Sequence, residues 1–179
     1  VESPDYGSAH NAPPIFSGAA WAENATLEAV EVQIESAAAG DFWNGSAWVA
    51  EPVWIPADGT TSWSYSLPAS LPQGECYLQA RGRGRGGYVD QTPEESFFTY
   101  DRIAPAATAL KTPGDGTVVA AIPSLLLDWE DVGPDGGSGL QYRVELDGNS
   151  WVVSSPFSTV AHIADGNHQW RVRVEDLAG

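Results

Sequence analysis

The sequence has few positively charged residues. Lysine and arginine number 8 against 24 aspartates and glutamates among 179 residues, which gives a formal net charge of −16. Binding a phosphate backbone needs a cationic surface, so this composition argues strongly against a nucleic-acid partner. It also argues against docking on anionic membrane surfaces. The acidity fits either solubility, including life in salt water, or the binding of cations.

Cysteine is nearly absent as well. The single residue Cys76 cannot form an internal disulfide, and no CxxC pair or Cys/His cluster indicates a zinc site. Cys76 lies within an alternating strand pattern and has no histidine near it in sequence, which disfavours a catalytic thiol. One cysteine is typical of an exported bacterial protein that does not rely on disulfides.

Long apolar runs and methionine are also missing. No stretch of about 18 apolar residues occurs, so we expect no membrane insertion. Residue 1 is Val, methionine is absent throughout, and no basic segment followed by an apolar one begins the sequence. We therefore expect both ends to have been cut from a longer chain.

The motifs of common enzyme families do not occur. There is no GxSxG elbow, HExxH pair or P-loop, and the histidines at positions 10, 162 and 168 are scattered. The glycine-rich segment 82–87 is not followed by a helical pattern that would point amides at a phosphate, so it is expected to be a hairpin loop. We expect no enzyme.

What the sequence does contain is alternation of apolar and polar residues. Val30, Val32 and Ile34 alternate with polar residues, and residues 140–146 repeat the pattern. Turn dipeptides such as Asn44-Gly45 separate such runs. About seven short strands fit into residues 13–102, without any helical period, and a similar plan follows. The pattern predicts an all-β fold of two tandem antiparallel β-sandwiches.

The boundaries follow from composition. Residues 1–12 are polar and rich in turn formers, and are expected to be a linker or the tail of a preceding module. Residues 13–102 and 103–179 are expected to form the two sandwiches. Gly74–Gly87 aligns without gaps on Gly166–Gly179, which is the internal match expected of a duplication. On that alignment the second module lacks its last strand, which residues beyond Gly179 would supply.

Several motifs resemble the tandem Ig-like and fibronectin type III-like repeats of large bacterial surface and secreted proteins. They are FWNGSAW at 42–48, TSWSYSL at 61–67, LDWE at 127–130 and WRVR at 170–173. The resemblance implies a non-catalytic structural spacer or adhesion segment of a larger extracellular or cell-surface protein. Its partners would be neighbouring repeats, and a cell-surface protein or glycan. The alternatives are an accessory carbohydrate-binding module of a secreted hydrolase, or a protein-binding module in a surface assembly.

Some repeats of this type bind calcium between domains. In an immunoglobulin-like sandwich, the loops after the second and sixth strands lie at the N-terminal end of the module, here facing the linker that holds Asp101. Those loops carry Asp131, Asp135, Glu175 and Asp176. Ca²⁺ takes six to eight oxygen ligands, so these five residues are the candidate calcium ligands. The alternative is a junction with ordinary acidic loops.

Tryptophan is abundant, with eight residues. Trp129 and Trp170 lie in apolar strands and are expected in a core. Trp43, Trp48, Trp54 and Trp63 are more than one small core needs. Exposed indole rings can stack on sugars, so these four are the candidate glycan-binding residues. The alternative is a packed hairpin with aromatic cross-strand pairs.

Overall fold

The computed structural model describes residues 1–22, 26–120, 123–133 and 137–179. Every helix or strand among those residues is a β-strand, so the all-β prediction is confirmed. The chain divides into two compact units, Val1–Arg102, called unit 1, and Ile103–Leu177, called unit 2. None of the described residues forms a helix long and apolar enough to cross a membrane.

Unit 1 contains ten described strands. They are β1 (Ser8–His10), β2 (Ile15–Ala19), β3 (Leu27–Ser36), β4 (Asp41–Trp43), β5 (Trp48–Val49), β6 (Ile55–Pro56), β7 (Asp58–Gly59), β8 (Ser62–Ser66), β9 (Gly74–Gly84) and β10 (Glu94–Tyr100). Seven form one sheet in the order β1-β10-β9-β3-β4-β5, with β6 also paired to β3. The other three form a smaller sheet in the order β2-β8-β7.

The core of unit 1 draws on both of its sheets. The period-two pattern of β3 buries Val30, Val32 and Ile34 and turns the intervening polar residues outward. Phe16 and Trp63 of the smaller sheet belong to the same buried cluster, and their rings meet edge to face at 5.0 Å between centroids. One hydrophobic core therefore holds the two sheets of this unit together.

The first twelve residues differ from the linker that their composition predicts. Within them, β1 joins the larger sheet as an edge strand, parallel to β10. Ahead of it, the Glu2 amide donates a 2.8 Å hydrogen bond to the Ser17 carbonyl. The backbone hydrogen bonds of this segment leave no hydrophobic signature in the sequence, so apolar alternation does not reveal its strand.

Unit 2 contains six described strands. They are β11 (Leu110–Thr112), β12 (Ser124–Trp129), β13 (Leu140–Leu146), β14 (Asn149–Val153), β15 (Phe157–Ala161) and β16 (Trp170–Asp176). They form two three-stranded sheets, β11-β12-β15 and β14-β13-β16, and all their pairings are antiparallel. Both sheets contribute to one small core of Leu127, Trp129, Tyr142 and Val144.

Candidate functional site

The four tryptophans considered for glycan binding do not form one exposed face. Trp43 and Trp63 are only 8% and 4% exposed and belong to the core of unit 1. Trp48 is half-buried against Trp43, with 5.5 Å between ring centroids. The Arg81 guanidinium covers the Trp54 ring at 4.0 Å from its centroid. These four tryptophan side chains therefore serve largely in packing within unit 1.

Asp101, the candidate calcium ligand in unit 1, is fully buried. The Gln73 side-chain amide donates a short hydrogen bond to its carboxylate, and the Asp101 amide donates to the His10 carbonyl at 2.9 Å. These bonds fix the end of β10 against the end of β1. The Asp101 carboxylate therefore has a hydrogen-bond partner inside its own unit.

The candidates in unit 2 also have internal partners. The Asp131 carboxylate accepts a 2.6 Å hydrogen bond from the Tyr142 hydroxyl, and Asp176 accepts one from the Gly179 amide at 2.8 Å. Arg143 forms a two-pronged ion pair with Glu175 at 2.8 and 3.1 Å, which lowers the pKa of that carboxyl. Asp135 lies outside the described residues. Among the described ones, no three acidic, histidine or cysteine side chains are placed to hold a metal ion.

Cys76 is a core residue. It is buried in β9, and desolvation raises the pKa of its thiol to about 12, with the nearby Glu35 carboxylate adding to the rise. The thiolate is the reactive form of cysteine, so this side chain is chemically inert at neutral pH.

A histidine–carboxylate pair links two loops of unit 2. Asp147 and Gly148 form the two-residue turn between β13 and β14, with φ angles of 49° and 83° that suit a type I′ turn. The Asp147 carboxylate accepts one hydrogen bond from the Gln169 amide at 2.9 Å and one from His168 Nδ1 at 2.6 Å. His168 Nε2 lies 2.8 Å from the Ala164 carbonyl. Both ring nitrogens face acceptors, so the doubly protonated imidazolium fits the site.

This pairing predicts a pH dependence in unit 2. The hydrogen bond that His168 donates to the Asp147 carboxylate raises the pKa of His168 above its ordinary 6.5, and the hydrogen bonds that this carboxylate accepts from the Gln169 amide and His168 lower the pKa of Asp147 below 3.8. The histidine contribution is present below pH 6.5 and is lost as the pH rises through the raised pKa. The aspartate contribution is present above pH 3.8 and is lost as the pH falls through the lowered pKa. Unit 2 should therefore lose stability on going from mildly acidic to alkaline pH.

Thermal melts across this range measure the effect, with His168→Gln as the comparison because it removes the titrating group. We expect the variant not to lose stability on the alkaline side. A titration of the wild-type His168 ring by NMR should give a pKa above 6.5. A normal or lowered value would contradict the pairing.

In unit 1 the first strand pairs with the last one. β1 and β10 run parallel, with Ser8, Ala9 and His10 opposite Phe98, Thr99 and Tyr100. The Gly7 amide donates to the Phe97 carbonyl at 2.8 Å before this ladder, and the Asp101 amide donates to the His10 carbonyl after it. β10 is paired in turn to β9 along its whole length, so β1 is attached to the interior of the sheet.

Aromatic contacts reinforce this strand pair on both faces. The Tyr6 and Phe97 rings meet edge to face at 4.6 Å, and the His10 and Phe98 rings do so at 5.7 Å. Phe98 is fully buried, so the second contact ties β1 to the core. The sequence does not predict this pair, because parallel partners far apart in sequence have no local turn signal. Tyr6, two residues before Ser8–His10, is the one hint in the sequence that the segment packs.

Unit 2 has a different arrangement at its ends. Its first described strand, β11, pairs only with β12, and its last, β16, pairs only with β13. Within the described ranges of unit 2, the first and last strands therefore share no ladder. The two units differ in how their terminal strands are attached.

The comparisons with known proteins include a weak structural likeness. No protein-family model matches the chain, and no characterised protein matches it in sequence. A solved structure of a Ca²⁺-stabilized adhesin, described as helping an Antarctic bacterium reach out and bind ice, is 14% identical, with a TM-score of 0.34. The match covers 98% of this chain and 46% of that one, so the chain spans less than half of that protein's structure. A likeness of this size assigns neither a family nor a function.

Proposed function

We propose that the chain is a non-catalytic, load-bearing spacer of a bacterial extracellular protein, built from two β-sandwich modules of the Ig-like and fibronectin type III-like kind. The observation that supports it is the parallel pairing of β1 and β10, the first and last strands of unit 1. In support of the sandwich assignment, each unit has two sheets that contribute side chains to a common core. The acidity and the single buried cysteine support an extracellular location.

The directions of β1 and β10 determine how unit 1 responds to tension. Tension on the two ends of unit 1 pulls β1 towards its start and β10 towards its end. Because these strands are parallel, the two forces are opposed along the strands and shear the ladder. Hydrogen bonds across a sheared ladder are loaded together, whereas those of a hairpin pulled open at one end break one after another. A parallel terminal pair is thus suited to resisting tension along the chain.

Pulling the full chain by its ends in single-molecule force spectroscopy tests the proposal. At about 3.4 Å per residue, unit 1 should release about 35 nm of chain and unit 2 about 25 nm. We expect the longer step at the higher force, because unit 2 has no described ladder between its first and last strands. Forced unfolding reports the unfolding rate, not equilibrium stability. Steps in the reverse order of force would contradict a load-bearing role for β1 and β10.

We also propose that Ca²⁺ stabilises the chain through some of Asp101, Asp131, Asp135, Glu175 and Asp176. The net charge of −16 supports it, since a divalent cation relieves repulsion among carboxylates. Calcium at 100 times its Kd should add about 2.7 kcal/mol to the unfolding free energy. The stabilisation is measured by comparing the melting temperature in millimolar CaCl₂ with that in EDTA, and MgCl₂ serves as the control. A melting temperature unmoved by calcium or chelator would rule this proposal out.

A further inference from the structure

An open cleft of about 650 Å³ lies in unit 1, and none of the four tryptophans considered above is exposed in it. Its floor is made of core or small residues, including Val30, Trp63 and Ala80. Two aromatic side chains on its lining, Trp21 and Tyr88, are each 79% exposed. Ligand sites are typically apolar concavities of about 300–1,000 Å³ with a few polar groups, and this cleft has that size and character.

The two aromatic residues are held by ordered backbone. Trp21 follows β2, next to Ala20, whose amide donates a 3.0 Å hydrogen bond to the Thr61 carbonyl. Tyr88 lies in the hairpin after β9, where its carbonyl accepts a 2.8 Å hydrogen bond from the Gly84 amide. A Cβ atom on Gly86 would lie 3.4 Å from the Tyr88 ring, so the ring rests against this turn. A backbone hydrogen bond thus lies at Tyr88 and another directly before Trp21, and a backbone that is already held in place lowers the entropy lost on binding a ligand.

The polar groups of the cleft are hydrogen-bond acceptors. Asp90 uses one carboxylate oxygen to accept bonds from the Thr92 amide and hydroxyl, both at 2.9 Å. Its other oxygen, and the carboxylate of Glu94, have no partner within the part of the chain that the structure describes. Arg81, a cation on the lining, is bound to Glu31 at 2.7 Å. The cleft therefore offers carboxylate oxygens to hydrogen-bond donors.

We propose that this cleft binds a neutral sugar unit. A pyranose ring has an apolar face of C–H bonds that packs on an aromatic ring, and hydroxyls at its edge that donate to carboxylates. Trp21 and Tyr88 supply the first kind of contact, and Asp90 and Glu94 supply the second. Acidic sugars are excluded by these carboxylates in a chain of net charge −16. This inference goes beyond the mechanical role and is independent of it.

The test is a titration of the full chain with cellotetraose, laminaritetraose, mannotetraose, chitotetraose and an acidic oligogalacturonate, followed by calorimetry and NMR. We expect at least one neutral oligosaccharide to bind with a Kd of about 1 mM or tighter, and the acidic one not to bind. Trp21→Ala and Tyr88→Ala should each weaken binding about tenfold. Phe157→Ala, which removes an aromatic ring that is 52% exposed in unit 2 and outside the cleft, should leave the affinity unchanged.

Both cleft residues are exposed, so their variants should fold, and circular dichroism melts confirm this independently of binding. The absence of binding to every neutral oligosaccharide would overturn the proposal. So would binding that both variants retain, or a preference for the acidic sugar. None of these results changes the order of steps in a pulling experiment, so failure of the sugar site and failure of the mechanical role are distinguishable.

Discussion

Replacing Trp129 by alanine is expected to unfold unit 2 and to leave unit 1 folded. Trp129 is fully buried, is the largest residue of a core with four buried members, and packs on the Tyr142 and Trp170 rings at 5.5 and 6.3 Å. Truncating a buried tryptophan costs about 3–5 kcal/mol. A domain of this size has about 4–11 kcal/mol in total, at about 0.05–0.15 kcal/mol per residue. The loss is therefore comparable to the whole stability of the unit.

Two-dimensional NMR of the full chain measures this directly, since the signals of unit 2 should collapse while those of unit 1 persist. Trp21→Ala is the matched control, because it truncates a tryptophan that is 79% exposed and should cost less than about 0.5 kcal/mol. The Trp129→Phe variant keeps an aromatic ring in the core but lacks the indole N–H, so it separates the effect of packing from the effect of polarity. Within the described residues the buried Trp129 Nε1 has no hydrogen-bond partner, so phenylalanine also removes an unsatisfied donor. An alanine variant with both units folded would show that this core does not hold unit 2 together.

The strands that could be predicted are those with one buried and one exposed face. Alternation placed Val30, Val32 and Ile34 on one side of β3, and the structure buries all three. Residues 140–146 behave in the same way in β13. The Asp147-Gly148 turn was also readable from sequence, because the left-handed φ angles of its two residues favour this dipeptide. Local rules suffice where the partner strand is the next one along the chain.

The hairpin around Asn44 shows the limit of such rules. Trp43 pairs with Trp48, as expected of a hairpin, but four residues separate the strands instead of the two of a type I′ turn. The Asn44 side chain explains the longer loop, since it accepts hydrogen bonds from the Ser46 and Ala47 amides at 2.9 Å. A side-chain cap of this kind competes with the tight turn and is not visible in the dipeptide alone.

Contacts between distant segments could not be predicted at all. The burial of Asp101 depends on Gln73, which lies 28 residues earlier, and on β1 at the other end of the unit. The exposure of the two aromatic residues of the cleft does have a signal in the sequence. Trp21 and Tyr88 lie outside any alternating run, in alanine-rich and glycine-rich stretches. An aromatic residue outside an alternating strand pattern is not placed on a core-facing side by that pattern.

The His10→Pro variant is expected to weaken unit 1 under tension, and it isolates the shear mechanism. The His10 carbonyl accepts the Asp101 amide, so its backbone faces β10. In a strand the amide and carbonyl of one residue point to the same side and alternate along the chain, so the His10 amide faces β10 and the Ala9 amide faces away. Proline at position 10 removes a hydrogen bond from the ladder, whereas proline at position 9 removes an amide on the free edge, where proline is tolerated.

A hydrogen bond contributes about 1 kcal/mol, which corresponds to about a fivefold change in rate. At constant force His10→Pro should therefore shorten the lifetime of the longer step about fivefold, while Ala9→Pro leaves it nearly unchanged. His10→Ala controls for the loss of the ring contact with Phe98. Because bonds in a sheared ladder break together, one missing bond lowers the barrier for all of them. Equal lifetimes for the two proline variants would mean that β1 carries no load, and the proposed role of unit 1 would then fail with it.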